Sequence, residues 1–250
     1  KTKILGKKVY YFDTIDSTQN FAIEISEKND ENGSVIISQR QTSGRGRMNR
    51  KWITVKGGIS MSVILCPKFD ASISTLFPIA ASLALATTIQ TTLNLKPEVK
   101  WPNDVILNGK KVAGMIVDTT IESNTIENMI LGVGINFKVD AKNLEKQLVR
   151  TENFYGVTSL LRSTNNNNPI LLIQKFLYEL EKIITLLEEG KSDLIIQKWG
   201  KISNTIGKRI TVNTIDGKIT GLAKKINTDG SLSIIKNGET VKLLVGDITP

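Results

Sequence analysis

Not one of the chain's 250 residues is histidine, and Cys66 is its single cysteine. These gaps exclude zinc sites built on Cys and His, disulfide frameworks, Ser-His-Asp triads and any histidine general base. Chemistry must therefore rest on Lys, Arg, Asp, Glu, Asn, hydroxyls, backbone amides or a bound metal. Cys66 ends the apolar run Ser60–Cys66 and reads as an inert buried thiol. A hydrophobic fraction of 40% with 23% charged residues lies outside the disordered range. It suffices for one large core, or a main domain with a small one.

Acids are the minority charge, 24 against 33 bases, for a net +9. Such a balance suggests an anionic partner: nucleic acid, a membrane surface or a phosphorylated small molecule. The excess is local. Arg40, Arg45, Arg47, Arg50, Lys51 and Lys56 fall within residues 40–56 without an acid, and a second excess lies in residues 201–250. No apolar stretch follows the first basic residues, because Tyr10–Asn20 carries Asp13 and Asp16, so no secretory signal is read there. The charge-free run Ala71–Leu95 could span a bilayer by length. Pro78 and its many Ser, Thr and Gln residues make it a buried core helix instead. The expectation is a soluble cytoplasmic protein without membrane contact.

The pattern is mixed at first and all-β at the end. Lys8–Thr14 alternates like a strand, and Asp16 with Gln19 resembles a capping box opening a short helix. Strands are expected at Ser34–Gln39 and Gly58–Leu65, flanking the basic loop, and a helix at Ile73–Leu93 ahead of Pro97. Asn108-Gly109 suits a type I′ hairpin turn within Val105–Val112. Met129–Phe137 reads as a strand broken by Gly132 and Gly134. Pro169–Glu189 has Leu172, Phe176, Leu180, Ile183 and Leu187 at helical spacing, closed by Gly190; a second helix spans about Ser192–Ile202. The run Asn165–Asn168 reads as a solvated loop insertion. Past Gly207, Asp216-Gly217, Asp229-Gly230 and Asn237-Gly238 separate short β-prone runs, which implies a small barrel of SH3-like size. The domain boundary falls near Ser203–Gly207, giving units 1–203 and 204–250.

Three constellations can carry chemistry. In Gly44-Arg45-Gly46-Arg47-Met48-Asn49-Arg50-Lys51-Trp52, glycines free the backbone to wrap an anion and arginines offer planar donors to carboxylate or phosphate. Trp52 adds a flat face for a base. Asn49 stands where a dinucleotide fingerprint needs its third glycine, and no Gly-Lys-Ser/Thr follows as in a Walker loop. The bland reading is a solvated basic turn, which the mutual repulsion of six cations opposes. The second constellation is Lys100-Trp101-Pro102-Asn103-Asp104 with Lys110-Lys111-Val112-Ala113-Gly114 on the returning strand. Asp104 is a candidate Mg²⁺ ligand and Lys100 a phosphate partner, against a plain proline turn with exposed lysines. The third is Gly132-Val133-Gly134-Ile135-Asn136, where glycines mark close approach of another group and Asn136 could read an adenine edge. A strand bulge is its bland reading.

With Asp16-Ser17-Thr18 ahead of them, these motifs stand in an order that closely resembles the biotin–protein ligases, over about Phe12 to Asn136. The resemblance implies an α+β fold: a mixed or antiparallel sheet with helices, class II synthetase-like, followed by the SH3-like barrel. It implies biotin and ATP as substrates with Mg²⁺, and a biotin carboxyl carrier domain of a carboxylase as acceptor. Ser17, Thr18, Gln19 and Gln41 would hold the biotin ring. Arg45, Gly46 and Arg47 would form the loop over biotin and its adenylate. Lys111 would hold the biotin carboxylate or α-phosphate, making Arg45, Arg47 and Lys111 the catalytic set. Arg50, Trp52, Lys100, Asn103, Asp104 and Asn136 would surround ATP, with Asp104 nearest a metal. Gln19, Met48 and Asn49 depart from the family pattern. A lipoate-type ligase and a basic nucleic-acid-binding module are the alternatives. A first strand starting near Lys8 leaves no room for an N-terminal DNA-binding domain, so no DNA binding is expected, while homodimerisation stays open.

Overall fold

The computed structural model describes residues 1–28, 30–148, 155–162 and 168–249. Alternation with period two, interrupted by turn residues, sets up the first and larger sheet. Its strands are β1 (Val9–Ile15) and, after α1 (Thr18–Ser26), β2 (Val35–Gln41) and β3 (Ile59–Leu65). A 3₁₀ turn, Ala71–Leu76, leads into α2 (Phe77–Leu93). Four strands follow: β4 (Glu98–Lys100), β5 (Asp104–Leu107), β6 (Lys110–Glu122) and β7 (Thr125–Ile135). They assemble in the order β1-β2-β3-β7-β6-β5-β4, with β1 parallel to β2 and the other pairs antiparallel.

The centre of this sheet, at β3 and β7, is buried on both faces, and the two faces differ in kind. On β3, Met61, Val63 and Leu65 join the main core while Ser60, Ser62 and Ile64 point the other way. On β7, Met129, Leu131, Val133 and Ile135 enter the main core. Period two then leaves Ile130, Gly132, Gly134 and Asn136 to the opposite face. Main-core residues pack on α2, which is apolar nearly all round. The helical segment Ala71–Leu93 is long and apolar enough to cross a membrane, yet 67% of its window is buried in the molecule. The second face carries α1 over Ile36, Ile64 and Ile130, and beside α1 it is lined with Ser and Gly.

Helices α3 (Ala141–Gln147), α4 (Pro169–Glu188) and α5 (Ser192–Lys201) follow. Helix α4 starts on an Asn168 cap and buries the expected leucine and isoleucine stripe. Residues 165–167 of the asparagine run lie outside the described residues. A five-stranded antiparallel sheet ends the fold: β8 (Arg209–Thr214), β9 (Gly217–Ile226), β10 (Leu232–Lys236), β11 (Glu239–Leu243) and β12 (Asp247–Thr249), in the order β11-β10-β9-β8-β12. Its Val212, Ala223, Leu232 and Ile234 belong to the same core cluster as α2. Trp101, fully buried at this junction, donates from its backbone N–H to Thr205 Oγ1 (3.1 Å) and from Nε1 to the Gly230 carbonyl (3.1 Å).

Several sequence expectations change. Strand β7 runs unbroken through Gly132 and Gly134, because backbone pairing with β3 and β6 continues past both. The cap of α1 is Ser17 rather than Asp16: Ser17 Oγ accepts from the Asn20 N–H at 3.4 Å, and Gln19 turns inward instead of closing a capping box. Strand β6 extends ten residues beyond Val112 to a turn at Ser123-Asn124, both at positive φ. Helix α3 carries no strong sequence period.

Candidate active site

One cavity of about 480 Å³ opens on the Ser/Gly face of the large sheet, beside α1. That is within the usual size of a small-molecule site, roughly 300–1,000 Å³. Its wall holds Ser17, Thr18, Gln19, Gln41, Arg45, Gly46, Arg47, Arg50, Trp52, Asn103, Asp104, Lys111 and Asn136. Of the residues expected from sequence to bind biotin or ATP, Lys100 alone does not line the wall.

At one end the groups that line the cavity are neutral and tightly bonded, with the Asp118 carboxylate behind them. Starting α1 at Thr18 leaves the N–H groups of its first turn without helical partners. The Thr18 N–H and Oγ1 both donate to Gln41 Oε1, at 2.7 and 3.0 Å. Ser62 Oγ lies 2.9 Å from Thr18 Oγ1 and 2.9 Å from Gln19 Oε1, so it can donate to either. Gln19 Nε2 donates to Asp118 Oδ2 (2.8 Å) and to the Ile130 carbonyl (2.9 Å). Gln19 fits only because position 132 is glycine: a Cβ there would stand 2.5 Å from Gln19 Oε1.

The basic loop is a small hairpin rather than a loose turn. The Gly46 N–H donates to the Arg50 carbonyl (2.7 Å), Trp52 N–H to Gly44 (2.9 Å) and Arg50 N–H to Arg47 (3.1 Å). Met48 and Asn49 occupy its corner at φ 52° and 60°, the signature of a type I′ turn. Asn tolerates that region, while Met has no such preference. The hairpin lays Trp52 against the backbone of Gly134, where a Cβ would meet the indole at 2.2 Å. The glycines of the third constellation are therefore sites of close approach.

Four basic groups on the wall, Arg45, Arg47, Arg50 and Lys111, meet a carboxylate. Arg45 reaches Asp118 Oδ1 at 3.0 Å and Asn20 Oδ1 at 3.2 Å. Arg47 donates to Asn103 Oδ1 (3.1 Å) and lies 3.5 Å from Asp247, which also binds Arg50. Burial pulls the Arg47 guanidinium below its ordinary pKa, opposed by Asp247 and Asp104. Lys111 Nζ forms an ion pair with Asp104 Oδ1 at 2.6 Å, outside hydrogen-bond geometry. A bulge between Val105 and Ile106 in the β5–β6 pairing lies at this point, and bulges re-aim side chains. Asn136 Nδ2 contacts the Lys111 carbonyl at 3.5 Å.

Lys100 is 8% exposed. Burial lowers its pKa to about 8, with Asp104 opposing and Lys111 reinforcing. Tyr155, which donates its hydroxyl to Asp104 Oδ2, has its pKa pushed up by burial and by the Asp104 charge. Among the described residues, no three His, Cys, Asp or Glu side chains converge as a metal cage. Asp104 is committed to Lys111 and Tyr155. With both its oxygens engaged, Asp104 does not fit the role of a protein ligand for Mg²⁺. Asp118, Tyr155 and Asp247 escaped the sequence reading, since each stands alone outside any motif. Asp247, from the last strand, carried no signal that could have placed it beside residues some 200 positions earlier.

The sequence profile of the Biotin/lipoate A/B protein ligase family matches residues 11–136, which is half of the chain. The chain belongs to that family. Within the biotin/lipoate ligases, it is 28% identical over 250 residues to the bifunctional ligase/repressor BirA of Bacillus subtilis, covering 99% of this chain and 75% of that protein. It is 28% identical over 228 residues to the biotin--[acetyl-CoA-carboxylase] ligase of Mycobacterium tuberculosis, covering 88% and 79%. The biotin protein ligase of Aquifex aeolicus, solved in complex with biotin and ATP, shares the fold: TM-score 0.78, 24% identity, 97% of this chain and 98% of that one.

Proposed function

We propose that this chain is an ATP-dependent biotin–protein ligase that forms biotinyl-5′-adenylate and passes the biotinyl group to a lysine of a biotin carboxyl carrier domain. The observation that carries the reading is the single cavity joining a neutral hydrogen-bonding end to an arginine- and lysine-lined end. The neutral end suits an uncharged ureido ring: Ser17 Oγ and the Gln41 amide would bond it, with Gln19 and Thr18 held behind them by their own hydrogen bonds. The cationic end suits a carboxylate meeting a triphosphate.

The chemistry needs no histidine. The biotin carboxylate is already an anion and attacks the α-phosphorus of ATP; pyrophosphate leaves. The obstacle is repulsion between anions, which Arg45, Arg47 and Lys111 offset while stabilising charge in the transition state. Mg²⁺ enters as part of the nucleotide substrate. Arg50, Trp52, Asn103 and Asn136 would surround the nucleotide, with Trp52 offering its ring to the base. An acceptor amine then attacks the mixed anhydride and AMP departs, so positioning and exclusion of water govern this step. We take 1–203 as the catalytic unit and 204–250 as an SH3-like barrel that props the cationic end through Asp247. Cytoplasmic location and lack of DNA binding belong to the same proposal.

Incubation with biotin, ATP, Mg²⁺ and a biotin carboxyl carrier domain, followed by intact mass, tests the reading. A biotinyl increment on the carrier is expected. Its absence with well-folded protein, or preference for lipoate in direct competition, would sink the assignment.

A further inference from the structure

Tyr155 stands between Lys100 and the cavity. Its ring carries the Lys100 ammonium 3.4 Å from the centroid, and the same Nζ donates to the Ile248 carbonyl at 3.3 Å. Tyr155 lines the cavity wall where Lys100 does not. Its hydroxyl binds one oxygen of Asp104, whose other oxygen holds Lys111. Lys100, Tyr155, Asp104 and Lys111 thus form one connected chain running from the C-terminal sheet to the cavity.

A cation held over an aromatic face and tied to a fixed carbonyl cannot swing toward an arriving ligand. Its charge acts from a set position. Lys111, in contrast, touches the cavity and is aimed by Asp104, which Tyr155 orients. The two ammonium groups repel one another, and the carboxylate and ring of the chain stand between them. A phenylalanine would fill the same volume, so the buried hydroxyl is explained by its bond to Asp104.

Resting on the ligase reading of this cavity, we propose that Tyr155 is a positioning residue for adenylate formation. Its ring seats Lys100 and its hydroxyl fixes Asp104, so that both lysine charges are pre-set before the nucleotide arrives.

Tyr155→Leu and Tyr155→Phe test this by ATP–pyrophosphate exchange at saturating biotin, alongside biotin binding measured calorimetrically without nucleotide. Loss of the ring in Tyr155→Leu is expected to raise KM for ATP by about tenfold, with biotin Kd changed far less because Lys111 alone of the chain meets the biotin carboxylate. Tyr155→Phe keeps the seat and is expected to restore most of that loss, with a residual of about threefold from the freed carboxylate. Wild-type KM for ATP in the leucine variant would overturn the proposal, as would a phenylalanine variant equally damaged. Parallel weakening of biotin and ATP would also overturn it, making Tyr155 a support of the fold. If the leucine variant does not fold, Tyr155→Phe decides: an unchanged KM for ATP overturns the link to Asp104. Wild-type protein that catalyses no exchange would instead refute the ligase reading, whereas differences between variants and wild type bear on Tyr155.

Discussion

Gly132 and Gly134 sit two residues apart on one face of β7, and each admits a different neighbour, Gln19 and Trp52. Alanine at the two positions should therefore damage different halves of the reaction. At 134 the new Cβ would lie 2.2 Å from Trp52 Cε2 and 2.3 Å from Cζ2. Carbon pairs rest at roughly 3.5–4.0 Å, so the indole must retreat by about 1.3 Å or the sheet must yield. Overpacking of this kind costs about 1–3 kcal/mol. If the sheet resists, the melting temperature falls by roughly 2–4 °C per kcal/mol. If the indole gives way, the same energy appears as a rise in KM for ATP, tenfold for about 1.4 kcal/mol. At 132 the Cβ would meet Gln19 Oε1 at 2.5 Å and Ile116 Cγ1 at 2.8 Å, so Gly132→Ala should raise KM for biotin instead. Steady-state kinetics with each substrate varied, alongside thermal melts, separates the two. Equal effects of both variants on the same substrate, or wild-type melting and KM for ATP in Gly134→Ala, would refute the reasoning.

Arg47→Ala removes the bonds to Asn103 and Asp247; less adenylate should be retained and transferred, measured by quenched single-turnover chromatography. Asp247→Asn leaves Arg47, whose side chain is 20% exposed, without its counter-charge. A loss between the exposed and buried limits, about 2 kcal/mol, should lower the melting temperature by several degrees. Lys100 has a folded pKa of about 8 against an ordinary 10.5. Between those values the unfolded chain binds the extra proton, so stability should rise with pH across this window. The stability of Lys100→Met relative to wild type should shift in favour of wild type from pH 8 to 10.5 in denaturant titrations, and a constant difference would contradict the assignment.

Local signals were legible where local chemistry decides structure. Asn108-Gly109, Asn237-Gly238 and Asp216-Gly217 make their turns with positive-φ glycine, and Pro169 opens α4 as its position dictates. The wall of the site was legible because its residues come in short motifs at strand ends. What stayed hidden is what tertiary approach alone creates. Gly132 and Gly134 look like strand breakers until Gln19 and Trp52 are seen to need the space. Arg40 and Lys56 belong to the basic run yet do not line the cavity, because residues 40 and 56 lie on the strand and loop outside the Gly44–Trp52 hairpin. Asp118, Tyr155 and Asp247 join the site through distant pairing that no local pattern announces.

Arg45, Lys111 and the Arg47–Arg50 pair are each matched by a carboxylate already in place. Ligand capture by these four groups is therefore an exchange of partners rather than the filling of a bare positive basin. An anion succeeds there only by outbidding Asp118, Asp104 and Asp247 together, a demand that one small ion such as inorganic phosphate meets poorly. A molecule presenting several charges along its length meets it well. The internal acids thus act as resident competitors that discriminate by valence and shape, keeping a strongly basic protein from being held by the commonest anions around it.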